Sequence, residues 1–499
     1  MNFKLRKEHY ALGLILLLGF ILRMYGLNFQ SLWYDELHTM VQADPGRSLQ
    51  EFFRYSICCD QHPPLHYLLS RYSFEWLGYN AFVARLISVV AGTLGIYVVF
   101  LLGKELKNSQ VGLIASALTC VNYFHLYYSQ EARSYAMLFL FSAMAFLYTT
   151  YLIKTPNFRH GVKWGIVNAV LLYTHYYGLF VFGSQLLVLG MYWAYSNHGY
   201  KKMLLKSTAL GLVLSIVLFL PWIQQVVGMV ELKSYWIPEI QIRFLYDYFF
   251  MYFGYSSPIL YAIVMLLVVY LSSKINSIKA FEIHLKNRDP EFLALLIFVS
   301  IGISVYIIPY IYSSIRVPIL YSRYTIGALP FILLAAAFAI YSIQHKRIRY
   351  LLFLGLLGYS LIDVVVLKKY YFTPTKTDYR GVVAYLNQAN ENRVPVINEV
   401  TTNEVDYYER KFGMTGIVTY GSRASVLSFG AQPSSFWLVK RQFEREQDLL
   451  PEQKIAEVYR AVFKKDFISL SLVFYKQKEE SNGPSTQLEA VVDKEGVIQ

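Results

Sequence analysis

The hydrophobic pattern of the chain consists of long apolar runs separated by short polar linkers. The hydrocarbon core of a bilayer is about 30 Å thick and requires roughly 20 apolar residues in a helix. The runs therefore predict a polytopic α-helical membrane protein with about 11 transmembrane helices. The predicted spans lie near 10–27, 82–102, 110–127, 135–153, 163–178, 179–195, 207–224, 256–272, 291–311, 322–342 and 350–367.

The stretch 163–195 is nearly unbroken and fits either one long span or two short spans. Basic residues cluster before it, between 154 and 163, and after it, between 201 and 206. Clusters of Lys and Arg mark cytoplasmic linkers, so an even number of crossings must separate these two. The charge pattern therefore favours two short spans that turn at 175–178.

The same rule orients the whole chain. With a cytoplasmic N-terminus, the denser basic clusters of the even-numbered linkers fall on one side, and the other linkers carry fewer basic residues. The basic N-terminus and its apolar run lack a small-residue cleavage pattern, which favours a retained anchor over a signal peptide. Asp35 and the segment after the last span are then predicted to lie outside.

Composition supports the membrane class and removes one alternative. Hydrophobic residues make up 55% of the 499 positions and charged residues 16%, whereas soluble domains carry about 25% charged residues. The formal net charge of +13 would suit nucleic acid, but the Lys and Arg residues are dispersed between apolar runs. We therefore predict no nucleic-acid partner. Three cysteines provide no disulfide framework.

Three regions are predicted from these patterns. Residues 1–370 form the transmembrane domain, with a long first outer loop at 28–81. Residues 371–476 read as a small α/β domain, because a helix N-capped by Asp378 is followed by strand-like runs near 394–397, 436–439 and 468–475. The polar tail 477–499 is predicted to be flexible.

Two adjacent acids, Asp35 and Glu36, directly follow the first span, with His38 close behind. Charge so near a bilayer is costly unless it has a function or reaches water. The pair is therefore either the beginning of an active site or two solvated loop acids. The length of the first loop favours a function, because long ordered loops are usually functional.

The other unusual polar residues also fall in outer linkers. His62 precedes a Pro pair and an amphipathic segment, Glu131 and Arg133 occupy a very short linker, and Arg323 opens the tenth span. Arg binds phosphate through two parallel hydrogen bonds, so these cations form a candidate phosphate receptor. A salt-bridged or headgroup-binding Arg, and a polar loop His, are the alternatives. No GxGxxG, P-loop, HExxH or CxxC pattern occurs.

The chain resembles the GT-C class of membrane glycosyltransferases, specifically bacterial relatives of protein O-mannosyltransferases and of lipid A aminoarabinose transferases. The resemblance covers essentially the whole chain in order. Its motifs are Leu32-Trp33-Tyr34-Asp35-Glu36, His62-Pro63-Pro64-Leu65, Ala84-Arg85-Leu86, Tyr128-Ser129-Gln130-Glu131-Ala132-Arg133-Ser134-Tyr135, Tyr173-Thr174-His175-Tyr176, Ser322-Arg323-Tyr324 with Pro330, and Asp378-Tyr379-Arg380.

The resemblance implies an inverting transfer of a hexose or pentose from a polyprenyl-phosphate donor to an acceptor hydroxyl on a protein, lipid or polysaccharide. It implies a bacterial inner membrane location, with membrane lipids as further partners. A divalent metal is left open, because some relatives use one and others do not. The implied roles are a general base for Asp35, acceptor positioning or support of Asp35 for Glu36, a second site acid for Glu131, donor-phosphate contacts for His62, Arg133, Arg323 and Tyr324, and substrate contacts for His38, His175 and Tyr176.

Two other functions fit a chain with many spans. A transporter or lipid flippase would also carry a few buried charges, but the hydropathy shows no internal repeat and the charges gather at one face instead of the midplane. A membrane-anchored binding or assembly protein would leave the long first loop unexplained. Glycosyl transfer accounts for both observations.

Overall fold

The computed structural model describes residues 7–58, 62–231, 236–390, 393–400, 406–413, 418–420, 433–442 and 453–478. The chain divides into two compact units, one of residues 1–30 with 35–375 and one of residues 31–34 with 376–499. The predicted flexible tail lies almost entirely outside the described residues, as do the two residues before His62.

The first unit is helical throughout. Three short helices occupy the first outer loop, and the third coincides with the predicted amphipathic segment. The helices up to α12 are α1 (Lys7–Met24), α2 (Tyr34–Gln42), α3 (Leu49–Cys58), α4 (Leu65–Leu77), α5 (Ala81–Leu106), α6 (Ser109–Val121), α7 (Tyr123–Ser129), α8 (Tyr135–Lys154), α9 (Phe158–Thr174), α10 (Gly178–Tyr195), α11 (His198–Phe219) and α12 (Ile223–Val230).

The second half of this unit contains interruptions of the α-helical geometry. A 3₁₀ helix covers Ser322–Ala328, and π-helical segments cover Gly302–Ile307 and Asp363–Leu367. The α-helices here are α13 (Phe244–Tyr252), α14 (Ser257–Ser273), α15 (Ile275–Lys279), α16 (Phe281–Asn287), α17 (Pro290–Ile301), α18 (Ile308–Ile315), α19 (Leu329–Ser342) and α20 (Lys346–Ile362).

The prediction of a polytopic helical membrane protein is confirmed. Within the described residues, 8 helical segments are long and apolar enough to cross a membrane. Three further predicted spans fall on helices that are more charged or shorter: α1 carries Lys7, Glu8 and Arg23, α6 has 13 residues, and α9 has 17. The stretch 163–195 contains two helices, α9 and α10, as the charge pattern predicted. The predicted span 110–127 is broken at Asn122, whose side chain accepts from the backbone of His125 and caps α7.

Close helix packing depends on small residues at one crossing. Gly161 and Gly165 of α9 face Gly211 of α11, and a Cβ atom at any of the three would collide with backbone oxygen of the opposite helix. Small residues four apart let two membrane helices approach closely, where apolar burial alone gives little driving force. This spacing fixes the position of α9, which ends at the candidate site.

The second unit contains two helices and a mixed five-stranded sheet. Its elements are α21 (Tyr379–Ala389), β1 (Val396–Asn398), α22 (Asp406–Phe412), β2 (Val418–Tyr420), β3 (Ser435–Arg441), β4 (Tyr459–Phe467) and β5 (Leu470–Gln477). The strand order is β2-β1-β3-β5-β4. The strands β1, β2 and β3 are parallel, whereas β5 pairs antiparallel with β3 and β4. The three predicted strand-like runs overlap β1, β3 and β5; β2 and β4 were not predicted.

The segment 31–34 packs into this second unit although it is remote in sequence. The backbone N–H of Leu32 donates to the hydroxyl of Tyr408 at 2.7 Å, and Ser31 Oγ accepts from the backbone of Arg380 at 3.1 Å. Leu32 is fully buried. These contacts fix the segment directly before Asp35.

Candidate active site

Asp35 lies in the first turn of α2 and forms an ion pair with Arg323. Its Oδ2 is 3.0 Å from Arg323 Nη2, and the two side chains are 15% and 10% exposed. The helix α2 is fastened by Thr39, whose hydroxyl donates to the carbonyl of Ala132 at 2.8 Å. Two residues that are distant in sequence are thus brought together in a nearly dry environment, where their attraction is stronger than in water.

Arg323 is held by aromatic rings as well as by Asp35. Its guanidinium carbon lies 4.9–5.8 Å from the centroids of four rings, those of Tyr135, Trp236, Tyr321 and Tyr324. A planar guanidinium is attracted to aromatic faces, and this attraction is larger in a desolvated site. The rings therefore orient the cation and keep water from it.

Arg133 is the second cation of the site. It donates from Nη1 to the hydroxyl of Tyr67 at 2.9 Å and to the backbone carbonyl of Asp35 at 3.4 Å. Its Nη2 lies 3.1 Å from Nε2 of His62. A guanidinium only donates, so His62 accepts through Nε2 and is neutral, with its proton on Nδ1. The structure therefore places His62 as a partner of Arg133.

His175 is another residue of this site, and it lies beside Tyr324 and His62. Its ring lies 4.8 Å from the ring of Tyr324 and 6.0 Å from that of His62. Its Nδ1 accepts from the backbone N–H of Tyr177 at 3.1 Å, which leaves the proton on Nε2. Burial, with the charges of the neighbouring cations, lowers the pKa of His175 well below its ordinary value. His175 is therefore a neutral donor.

His66 is a further buried histidine, one turn beyond His62. Burial, reinforced by the charge of Arg133, lowers the pKa of its imidazole to about 3. Neither ring nitrogen of His66 has a hydrogen-bond partner among the residues that the structure describes. The folded protein therefore holds this side chain neutral over the physiological range.

We expect His66 to make stability depend on pH. The unfolded imidazole binds a proton below about pH 6.5, whereas the folded one does so only near pH 3. The contribution of His66 to the free energy of unfolding is therefore constant above about pH 6.5. It decreases as the pH falls toward 3, by about 2 kcal/mol between pH 7 and 5. Unfolding in detergent at the two pH values should show a smaller acid effect in His66→Asn. The control His198→Asn, at an exposed position, should match the parent; an unchanged acid effect in His66→Asn would contradict the assignment.

Glu36 differs sharply from Asp35, although the two are adjacent. Its two oxygens accept from Arg85 Nε and Nη2, each at 2.7 Å, and both side chains are at most 1% exposed. Ala132 N–H also donates to Glu36 at 2.9 Å, and Arg85 donates to the carbonyls of Leu27 and Gln30. Both oxygens of Glu36 are therefore engaged within the protein, at the start of α2. Its role in positioning the acceptor or supporting Asp35 stays a prediction.

The remaining predicted residues are distributed around this centre. Glu131 is fully buried in the turn after α7, and His38 lies on α2 with its ring 6.2 Å from that of Tyr67. The hydroxyl of Tyr176 accepts from the indole of Trp222 at 3.1 Å, in a separate apolar cluster. The structure thus brings together six of the ten predicted residues, namely Asp35, His62, Arg133, His175, Arg323 and Tyr324, and directs Tyr176 elsewhere.

A divalent metal would need a set of anionic or imidazole ligands. Within the described ranges, no three His, Cys, Asp or Glu side chains come together in a way that could hold a metal ion. The acid nearest to Asp35 in sequence, Glu36, directs both oxygens to Arg85. Among the described residues the site therefore presents no such ligand set.

Six contributing residues were not predicted as site residues. They are Tyr67, Arg85, Tyr135, His66, Trp236 and Tyr321. For Arg85 a signal existed, because a charged residue at the beginning of a membrane span is costly and needs a partner. For the three tyrosines and Trp236, aromatic residues are too frequent in this chain to mark a site.

Comparisons with known proteins agree on the fold. Residues 61–224 match the model of the dolichyl-phosphate-mannose-protein mannosyltransferase family. No curated protein sequence is significantly similar to the chain. Among solved structures, ArnT from Cupriavidus metallidurans in the apo state is 13% identical with a TM-score of 0.62, over 93% of this chain and 97% of ArnT.

Two further structures support the same assignment. ArnT bound to undecaprenyl phosphate gives a TM-score of 0.55 at 13% identity, over the same shares of the two chains. The Archaeoglobus fulgidus oligosaccharyltransferase in complex with zinc and sulfate gives 0.56 at 10% identity, over 93% of this chain and 72% of that protein. The predicted resemblance is thereby confirmed at the level of architecture: the chain has the fold of the GT-C membrane glycosyltransferases.

Proposed function

We propose that this protein transfers a hexose or pentose from a polyprenyl-phosphate donor to an acceptor hydroxyl on the outer side of a bacterial inner membrane. The observation that carries the proposal is the ion pair between the Asp35 carboxylate and the buried guanidinium of Arg323, beside a second buried guanidinium, Arg133, that donates to the backbone carbonyl of Asp35. Such a site can deprotonate an alcohol and stabilise a departing phosphate. The fold and the matched family support the same reaction class.

The reaction follows from these groups. Asp35 takes the proton of the acceptor hydroxyl as its oxygen attacks the anomeric carbon of the donor. The bond from that carbon to the phosphate oxygen breaks on the opposite face, which inverts the configuration. The electron pair stays on the polyprenyl phosphate, whose added negative charge Arg323 and Arg133 stabilise. Direct displacement requires no covalent sugar–enzyme intermediate.

The Asp35–Arg323 pair also provides a reason for donor binding to precede catalysis. In the structure the guanidinium of Arg323 engages the Asp35 carboxylate directly. A donor phosphate accepts two parallel hydrogen bonds from Arg and would compete with Asp35 for Arg323. Donor binding would then release Asp35 to act on the acceptor.

An apolar groove supports a lipid donor. It encloses about 640 Å³ and is lined by apolar and aromatic side chains of α13, α14, α17, α19 and the π-helical segment between α17 and α18. Ala328, which lines it, ends the 3₁₀ helix that carries Arg323 near its start. A 3₁₀ helix rises about 2 Å per residue, so the groove begins about 10 Å along this helix from the cation.

The related structures support a polyprenyl phosphate in particular. ArnT has been solved bound to undecaprenyl phosphate, and the archaeal oligosaccharyltransferase AglB with an inhibitory peptide and a dolichol-phosphate. The charge asymmetry of the linkers supports a cytoplasmic N-terminus and a second unit outside. Mass spectrometry of glycolipids and glycoproteins from cells with and without the gene tests the proposal. One sugar missing from one acceptor is expected; lipid-linked sugar retained on one leaflet, with no acceptor changed, would indicate a flippase instead.

Replacing Arg323 by lysine should raise the donor KM about tenfold, which corresponds to about 1.4 kcal/mol. Lysine keeps the charge but loses the bidentate phosphate contact and the contacts of the planar guanidinium with four aromatic rings. Steady-state kinetics at saturating acceptor measures the effect. The matched control is Arg316→Lys, an exposed residue of the same outer linker, which should leave the donor KM unchanged. A higher acceptor KM with an unchanged donor KM would assign Arg323 to the acceptor.

A further inference from the structure

The second unit contains a polar cleft that the proposed chemistry does not use. It encloses about 470 Å³, and its lining includes Tyr34, Thr377, Val400, Arg441 and Ser469. Small-molecule sites are commonly clefts of roughly 300–1,000 Å³ with a few placed polar groups. The cleft is therefore large enough for one or two sugar residues.

The cleft lies where the topology of the sheet favours a ligand. From β1 the chain reaches β2 on one side, and it then crosses to β3 on the other side of β1. The strand order thus reverses between the parallel strands β1 and β3, and ligands of α/β sheets bind outside the carboxyl ends of strands at such a point. Val400 is two residues past β1, and Arg441 is the last residue of β3.

The walls of the cleft are fixed by backbone hydrogen bonds. Glu399 N–H donates to the carbonyl of Val439, and Gln442 N–H donates to that of Ser469, each at 3.1 Å. The N–H of Asp378 donates to the carbonyl of Ile468, also at 3.1 Å. These bonds join the ends of β1 and β3, the β4–β5 turn and the beginning of α21. A ligand would therefore meet a preformed site and would lose little binding energy to ordering.

The lining specifies a hydroxylated ligand with a negative charge. Arg441 is exposed and forms no ion pair with any residue that the structure describes. Thr377 and Ser469 contribute hydroxyls, and the ring of Tyr34 is 45% exposed. A guanidinium binds a phosphate or carboxylate, the hydroxyls pair with sugar hydroxyls, and the ring presents an amphipathic face.

The cleft thus offers a cation, two hydroxyls and an aromatic ring within one unit of the chain. We propose that it binds a glycan that bears an anionic substituent. This binding does not depend on the proposed transferase function.

The binding test uses the full chain in lipid nanodiscs, with glucose 6-phosphate as the probe and glucose, inorganic phosphate and a serine-containing peptide as comparisons. Calorimetric titration should show binding of glucose 6-phosphate that is at least fivefold weaker in Arg441→Gln. The control Arg460→Gln, an exposed residue of β4, should bind like the parent, and so should Arg323→Lys. Weakening in Arg323→Lys but not in Arg441→Gln would assign the binding to the donor site and overturn the inference.

A second variant tests the cleft independently of Arg441. Tyr34→Ala should also weaken binding of glucose 6-phosphate at least fivefold, because it removes the aromatic ring from the lining. Unchanged binding in both variants would overturn the cleft and leave the proposed transferase standing. Arg441-dependent binding of the sugar phosphate in a protein that transfers no sugar would do the reverse. Binding of the peptide in preference to the sugar phosphate would overturn the glycan assignment.

Discussion

Asp35→Asn should lower the rate of sugar transfer by a factor of about 10³ or more at saturating donor and acceptor. The amide has nearly the same shape as the carboxylate but cannot accept the acceptor proton, and a positioned base contributes about 10²–10⁴-fold. The variant also loses the charge that faces Arg323 across 3.0 Å. Initial rates of the purified protein in nanodiscs measure the effect, with expression and membrane insertion checked in parallel.

The matched control is Asp247→Asn, on the short helix α13. Asp247 is 39% exposed and pairs with Arg243 one turn away, so its loss should leave the rate unchanged. Full activity in Asp35→Asn would remove the base assignment. Loss of activity together with loss of membrane insertion would instead show that the Asp35–Arg323 pair serves folding.

The helical architecture was predictable because membrane solvation leaves a strong signal. Every backbone polar group in a bilayer must be satisfied within the protein, so a long apolar run is helical, and the sequence of 163–195 needed only its flanking charges to be divided correctly. The break at Asn122 was missed, since an Asn within an apolar run resembles a tolerated polar residue. Its capping role depends on the backbone that follows it.

The sequence predicted which residues belong to the site better than it predicted which of them form ion pairs. Topology placed Asp35, Arg133 and Arg323 on one side of the membrane, but no sequence rule states which carboxylate meets which cation. Successive residues of a helix point about 100° apart. Asp35 and Glu36 therefore face different partners, Arg323 and Arg85, although they are neighbours in sequence. That difference could be known only once α2 was placed against α5.

Glu36→Gln should lower the free energy of unfolding by about 3–5 kcal/mol. The change leaves the Arg85 guanidinium buried without its counter-charge and sets an amide N–H₂ against an N–H donor, which is among the costliest defects in a protein interior. Both side chains are at most 1% exposed, so water cannot compensate. Unfolding by SDS in mixed micelles, followed by tryptophan fluorescence, measures the loss.

Two comparisons determine what the Glu36–Arg85 pair does. Glu105→Gln breaks the Lys154–Glu105 pair, whose side chains are about one third exposed, and should cost at most about 1 kcal/mol. The double variant Glu36→Leu with Arg85→Met should recover part of the stability, because an apolar pair of similar volume avoids the uncompensated charge. Recovery stays partial, since Ala132 N–H and the carbonyls of Leu27 and Gln30 lose their partners. If stability returns but transfer does not, the pair positions Asp35; a loss in Glu36→Gln no larger than that in Glu105→Gln would contradict the buried pair itself.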